Sequence, residues 1–594
     1  MKKLLLACSL LIAVGTFAQS NISLIGTYKT MVFDEGAAEI VAYDSINQQV
    51  FFTNADAASI GILDVSDPSN PSFIKNIEIT TYGSNANSVA VSGNVVVAAV
   101  ESTDGLANGK AVFFDLDGNY ITDVEVGNLP DMVTISSDGN IVMTANEGEP
   151  SDDYLNDPIG SISIIDISGG VASLTQANVT TLDFSGFTPQ MLDASTRVFG
   201  NDGAATVAQD MEPEYITISP DNSTAFVGLQ ENNAVAIVDL NSKTITDIVG
   251  LGFKNHALPG NGFDASNRAE QIAIIPRQVF GMPLPDAIKS FEIAGQTYFA
   301  TANEGDSRDY DAFSEEERVA DLVLDLVAFP NRNLIQNDTV LGRLNITTTL
   351  GDTDNDGEYE ELYAYGTRSF SIYDATGNLV YDSGDDFEQT IAADFPEQFN
   401  STNDDNDSYK NRSDDKGPEP EAIEIATIGG ATYAFIGMER MGGIFVYDIS
   451  NPIAPINLGY FLNRNFSVPA DDSNAGDLGV EDIKFVPAAV SPTGFDMLIT
   501  ANEISGTVSF FSVDVPTSVK ELNNEKNSFK LFPNPNNGSV VRTNIAGDYR
   551  IVDLQGREVL SVKNSTSLNL DTLTPGTYLV SNASGTTQKL FISK

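Results

Sequence analysis

Seven copies of one unit run through most of this chain, and that repetition limits the fold more than any other feature. In each unit a first apolar run starts beside an acidic or polar residue. A second run ends in Asn-Glu or something close to it, and a third ends near Asp. Unit one reads EIVAYDS from Glu39, then QVFFTNAD and SIGILDVSDPS. Unit two reads SVAVSG from Ser88, then NVVVAAVES and AVFFDLDG. Unit three reads DMVTISSDG from Asp131, then NIVMTANEGE and GSISIIDIS. Unit four reads EYITISPD from Glu214, then STAFVGLQENN and AVAIVDLNS. Unit five reads EQIAIIP from Glu270, then QTYFATANEGD and, after a long insertion, SFSIYDATGN. Unit six reads EAIEIATIG from Glu421, then ATYAFIGMER and GIFVYDISNP. Unit seven reads EDIKFVP from Glu481, then DMLITANEIS and TVSFFSVD.

Short runs rich in Val, Ile, Thr and Phe between Gly, Asn, Asp and Ser turns read as strands. A fourth, outer strand follows in units such as four (243–249) and five (378–383). One four-stranded sheet cannot bury both faces alone, so such units stack around an axis. The pattern predicts an all-β chain, a seven-bladed β-propeller over residues 19–515. Unit seven lacks a fourth strand, and the segment 21–30 (NISLIGTYKT) is free to supply it. That closure would remove two exposed sheet edges.

The flanks differ from the repeats. Residues 1–18 read as a signal peptide: Lys2 and Lys3, an apolar stretch over 4–14, and Thr16-Phe17-Ala18 before Gln19. The single cysteine, Cys8, lies inside it, so the mature chain has no thiol for a disulfide, a zinc-thiolate site or a nucleophile. No other apolar run is long enough for a transmembrane helix. Residues 516–528 form a polar linker, and 529–594 a small C-terminal β-sandwich domain.

The chain carries 31 Lys and Arg against 83 Asp and Glu, a formal charge of -52. Such a surface repels nucleic acid and anionic lipid, which excludes both as partners. With 42% hydrophobic residues, disorder is not the reason for the charge.

Propeller geometry gives the acidic positions a location. The first strand is innermost and the second runs back beside it, so the start of one and the end of the other share a rim. The starts place Glu39, Asp131, Glu214, Glu270, Glu421 and Glu481 there, with Ser88 breaking the series. The ends add Asp56, Glu101, Glu147, Glu231, Glu304, Glu439 and Glu503. So many carboxylates at one channel mouth need cations or basic groups between them. Arg268, Arg308, Arg368 and Arg440 fall beside them in sequence. Insertions at 148–160, 185–211, 251–269, 305–360 and 384–420 emerge on the same side, where loops on a rigid scaffold carry function. The opposing reading is a merely solvated acidic rim.

A second signal is Gly351-Asp352-Thr353-Asp354-Asn355-Asp356-Gly357-Glu358. Oxygen ligands at alternate positions around a turn suit a calcium loop, with Asp352, Asp354, Asp356 and Glu358 as ligands and Glu360 or Glu361 as a further donor. Asn403-Asp404-Asp405-Asn406-Asp407 is a weaker candidate of the same kind and reads rather as a solvated loop. Ser314-Glu315-Glu316-Glu317 resembles a capping box and predicts a short helix to Ala328. One histidine, His256, cannot build a His-rich metal site, and there is no G-x-S-x-G elbow, P-loop or dinucleotide fingerprint.

Two resemblances add to this. The segments GAAEIVAYD, ANEGEPSDDY, MEPEYITISPDNSTAFVGLQENNAVAIVDL, ANEGDSRDY, RSDDKGPEPEAI, MERMGGIFVYDISNP and ANEISGTVSFF resemble the choice-of-anchor I family of extracellular propellers, over about 22–513. LFPNPNNG, IVDLQGREV, LTPGTYLV and KLFISK resemble the C-terminal sorting domain of the type IX secretion system. The second likeness implies the secretion machinery as a partner. It also implies a secreted product, extracellular or on the outer-membrane surface of a Bacteroidetes-type bacterium. More distantly, the propeller alkaline phosphatases and phytases hold calcium in an acidic mouth, although the Cys ligand of some such phosphatases is absent here. Two functions follow as expectations. One is a calcium-binding interaction module for a small-molecule, phosphoester or surface ligand. The alternative is a metal-dependent phosphohydrolase in which Arg308, Arg368 or Arg440 clamps phosphate.

Overall fold

The computed structural model describes residues 20–515, 531–532, 540–552, 557–582 and 587–592. The signal peptide and the linker 516–528 lie outside the described residues. The chain divides into two compact units, Met1–Pro516 and Thr517–Lys594.

The first unit holds seven four-stranded antiparallel sheets. Their innermost strands are Val41–Asp44, Ala86–Ser92, Pro130–Ile135, Pro213–Ile218, Ile288–Ile293, Pro420–Ile428 and Val480–Val486. Each neighbouring pair of sheets encloses its own apolar core. Phe51 and Phe114 lie between blades one and two, Phe113 and Ile165 between two and three, and Met143 and Val227 between three and four. Phe226 and Phe299 lie between blades four and five, Phe370 and Phe445 between five and six, and Phe435 and Phe511 between six and seven. Phe52 and Phe510 complete the circle between seven and one. Seven sheets with seven cores make a closed ring.

Closure uses the predicted segment. Asn21–Lys29 lies antiparallel on Thr507–Asp514 as the outer strand of blade seven, from Asn21 opposite Asp514 to Lys29 opposite Thr507. Ile22 packs into the core between blades six and seven. The recurring Asp at the end of third strands is a turn device. Asp64, Asp166, Asp374 and Asp448 each accept the backbone N–H two residues on, at 2.9–3.0 Å, which starts the turn to the outer strand.

Blade five corrects the sequence reading. Glu270 and the residues after it form no strand, and Glu270 is exposed. The innermost strand is Ile288–Ile293, joined to Gln296–Ala302 by a tight turn through Ala294 and Gly295. The 270s segment packs instead in the insertions, where Ile275 bridges to Phe263. The expected helix from Ser314 to Ala328 is also absent. Glu316–Arg318 pairs as a strand with Asn345–Thr347, and Glu315 is buried against Arg197. Phe263, Phe329, Leu344 and Leu362 give these insertions a core of their own.

The second unit is the expected small β domain. Its strands Leu531–Phe532, Val540–Val552, Glu558–Asn569, Gly576–Asn582 and Thr587–Ile592 are all antiparallel, around Val541, Ile551, Leu568, Val580 and Leu590. Among the described residues, no helix is long and apolar enough to cross a membrane.

Candidate functional site

Two local devices point the acidic side chains into the channel mouth. The first is a β-bulge where the inner strand begins, at Ala86/Ser88, Pro130/Met132, Pro213/Ile216, Pro420/Ile423 and Val480/Asp482. The extra residue falls at Asn87, Asp131, Glu214, Glu421 and Glu481 or beside it, and a bulge re-aims the side chain it carries. Leu129 and Glu419 precede the prolines of two such starts with φ of 44° and 54°, and Leu284 precedes Pro285 of blade five with φ of 41°. Non-glycine residues in that region are strained by about 1–3 kcal/mol each, and such strain collects at functional sites.

The second device is the Asn of the Ala-Asn-Glu sequence. Asn146 Nδ2 donates to Ser161 O and Ser163 Oγ, both at 3.1 Å. Asn303 Nδ2 donates to Thr367 Oγ1 and Ser371 Oγ, both at 2.8 Å, and Asn502 Nδ2 to Thr507 O at 3.1 Å. Each amide fastens the end of the second strand to the third, so the next residue, Glu147, Glu304 or Glu503, leaves at the mouth.

The structure moves several of the positions expected at the mouth. In blade five the place given to Glu270 belongs to Asp286. The sequence held the signal: Pro285-Asp286 repeats the Pro130-Asp131, Pro213-Glu214 and Pro420-Glu421 pairs. In blade two the place falls on Asn87, not Ser88. In blade four, Leu229 pairs with Pro213, so Gln230 stands where other blades have Glu and Glu231 follows it. Asp56 is exposed. Glu39, Asp131, Asp286 and Glu481 line a cavity of about 240 Å³ together with Asn87 and Tyr215. A second cavity of about 310 Å³ lies further along the axis, and Tyr215 borders both.

Burial and mutual repulsion push these groups far up. Burial, then Glu503 and Asp131, raises Glu39 to about 8. Burial, then Glu149, raises Asp131 to about 6. Glu147, Glu214, Asp286, Glu421 and Glu481 are raised well above the carboxylate range, by burial first and then by neighbouring acids. Glu231, Glu304, Glu439 and Glu503 are raised as well, again first by burial. Among the described residues, four buried carboxylate oxygens of the mouth have no hydrogen-bond partner: Oε2 of Glu214, Glu231, Glu421 and Glu439.

The cations near the mouth are already engaged. Lys416 pairs with Glu304 and lies 3.4 Å from Glu419. Burial raises the Glu419 carboxyl, but Arg412, Lys416 and Arg440 outweigh it and hold the group well below its usual range. The sequence reading missed Lys416 and Glu419. Arg440 binds Glu419 and Glu439, both at 2.9 Å. Arg308 is buried against Asp210 and Glu212 and lies over the Phe199 ring. Arg368 donates to Glu388 and to the carbonyls of Asp264, Ser413 and Asp415, over Phe263. Arg308 and Arg368 bind the insertions to one another, and Arg440 ties the mouth carboxylate Glu439 to the 384–420 insertion through Glu419 and Asn403, so all three expected phosphate clamps are engaged in internal pairs. Arg268 is exposed and forms no ion pair among the described residues.

Outside the mouth, carboxylate oxygens of Asp352, Asp354 and Asp356 lie within 4.8 Å of one another, and Glu358 is not part of that group. Asp352 accepts the N–H of Asp356 and Gly357, and Glu360 turns to Thr353. The loop at 403–407 is structural: Asn403 is buried and bonds Glu439 and Arg440, and Asn406 donates to the carbonyls of Asn465 and Val468. His256 is buried, with Nδ1 on Asn261 O at 2.7 Å and its ring against Phe263.

Fold and site together define a β-propeller with an acidic channel mouth. The Choice-of-anchor I domain model matches residues 39–452, and the chain belongs to that family. The Secretion system C-terminal sorting domain model matches 530–593. This tail implies passage through the secretion machinery, to the cell surface or the extracellular space of a Bacteroidetes-type bacterium. Gigasin-3a of Magallana gigas is 34% identical over 190 residues, covering 30% of this chain and 66% of that protein. A mesenchyme-specific cell surface glycoprotein of Strongylocentrotus purpuratus is 30% identical over 292 residues, covering 43% and 37%. The chain thus spans less than two thirds of either relative. Among solved structures, Kuenenia stuttgartiensis hydrazine synthase aligns with a TM-score of 0.41 at 13% identity, over 82% of this chain and 98% of that one. The Myceliophteria thermophila Cps50 (Swd1) β-propeller domain aligns at 0.40 and 11% identity, over 83% and 100%.

Proposed function

We propose that this propeller is a cation-dependent binding module of the cell exterior, whose mouth holds calcium and, through it, an oxygen-rich ligand. The observation that carries this is the set of buried carboxylate oxygens left without partners on Glu214, Glu231, Glu421 and Glu439. Buried polar groups are almost always satisfied, and an unpaired buried carboxylate is among the costliest exceptions. A hard divalent cation supplies what these oxygens lack. The Asp352–Asp354–Asp356 loop is a further, more exposed position for calcium. The ligand is a small molecule or surface polymer bearing hydroxyl, carboxylate or phosphate oxygens, which would complete the coordination from the open side. Phosphoester cleavage is not part of the proposal, since Arg308, Arg368 and Arg440 are committed to internal ion pairs. The test is calorimetric titration of calcium into the metal-stripped full chain, with melting followed alongside. Binding with a rise in Tm supports the module. No heat and no shift at millimolar calcium leaves a solvated acidic rim in its place.

A further inference from the structure

We propose that Glu304, Glu421 and Glu439 form one discrete divalent-cation site at the junction of blades five and six. The proposal rests on the cation-binding reading of the mouth and narrows it to a centre. One carboxylate oxygen from each of the three lies within 4.8 Å of the others. Two oxygens on opposite sides of a calcium ion at 2.3–2.6 Å stand about 4.6–5.2 Å apart, so this span suits a shared ion.

A cluster of acids alone says little, and two further observations single this one out. Glu421 and Glu439 are 7% and 6% exposed, and each keeps an Oε2 with no donor. Glu304 and Glu439 are held from behind. Gln230 Nε2 donates to Glu304 Oε2 at 2.8 Å, and Asn403 Nδ2 donates to Glu439 Oε1 at 3.0 Å. Arg440 adds a charge on the same Glu439 Oε1 at 2.9 Å. Outer partners of this kind orient metal ligands and leave the other oxygen for the ion.

The Lys416 ammonium bonds the third member, Glu304. It gives the site a tethered positive charge that an incoming ion must compete with. The donors are all carboxylate oxygens, which selects calcium, magnesium or manganese over zinc or copper. The only histidine, His256, is held elsewhere by Asn261 O.

The test is calcium titration of the metal-stripped full chain and four variants, by calorimetry. Glu421→Gln and Glu439→Gln each remove a ligand without changing shape, and both relieve repulsion, so the fold is retained. Each should weaken the tightest calcium site about tenfold or more, since even outer-shell partners are worth roughly 10–100-fold. Glu481→Gln removes an equal charge from the same mouth and should leave that site within about threefold. Lys416→Met removes the competing ammonium and should tighten it. Equal weakening by Glu421→Gln and Glu481→Gln would overturn the discrete centre while leaving a diffuse cation-binding mouth. Absence of calcium binding by the unaltered chain would overturn both readings.

Discussion

Gln230 Nε2 donates to Glu304 Oε2 at 2.8 Å and ties the mouth of blade four to that of blade five. Gln230 stands where neighbouring blades carry Glu, so blade four contributes a donor where the rest contribute acceptors. Gln230→Ala would leave a buried carboxylate oxygen bare. The metal-free protein should lose about 1–3 kcal/mol. Urea unfolding in EDTA measures this, and an unmoved midpoint would show that the bond does not stabilise the mouth.

The mouth also sets a pH dependence. Glu39 is raised to about 8 and Asp131 to about 6. A carboxyl raised by folding binds its proton more tightly in the folded chain, so its stabilisation is complete below the unfolded value and is lost as pH rises through the folded one. The metal-free propeller should therefore lose Tm between about pH 4.5 and 8, with Glu39 covering that whole span. Glu419, held low, acts in the opposite sense and only at more acid pH. Millimolar calcium should flatten the decline. Melting curves in EDTA that rise across this window would contradict the assignment.

Ring closure can be tested from one side chain. Ile22 is 8% exposed and belongs to the core between blades six and seven. Ile22→Ala should cost about 2–4 kcal/mol in urea unfolding. Removing residues 21–29 should cost more, because it bares the edge of Thr507–Asp514 as well. A shortened chain with unchanged unfolding would mean that the ring is held without this strand.

Arg308 offers a contrast between structure and chemistry. It is 2% exposed and paired with Asp210 and Glu212. Arg308→Ala strands two buried carboxylates and should destabilise by about 3–5 kcal/mol. The insertions it fastens should become sensitive to limited proteolysis. Arg308→Lys should not restore them, because an ammonium cannot reproduce the planar fork. Resistance of the alanine variant to protease would refute the structural role.

The repeats made most of the ring legible in advance, because strand alternation and turn residues are local properties. Blade five was misread for a physical reason. EQIAIIP at Glu270 and DAIKSFEI at Asp286 have equal claims to be strands by composition. Only the Pro before the acid and the tight turn at Ala294 and Gly295 distinguish them. The helix expected after Ser314 failed similarly: Glu315 caps nothing, because Arg197 draws it into the interior from 118 residues away. The carboxylates of the mouth were readable because repetition puts equivalent residues on one rim. Lys416 and Glu419 were not, since they arrive on an insertion with no counterpart in other blades.

The strand Asn21–Lys29 has a consequence for the order of events in the chain's life. Ser23 and Ser512 face each other across the last sheet although 489 residues separate them. Contacts this distant form late, since the loop between them must first be organised. The earliest segment of the propeller thus stays without its partner until blade seven has been delivered. Until then the partial ring presents an open blade at each end, the state most exposed to strand-to-strand aggregation. Completion falls at Asp514, just before the sorting tail begins, so the tail follows a propeller that has all the strands it needs to shut.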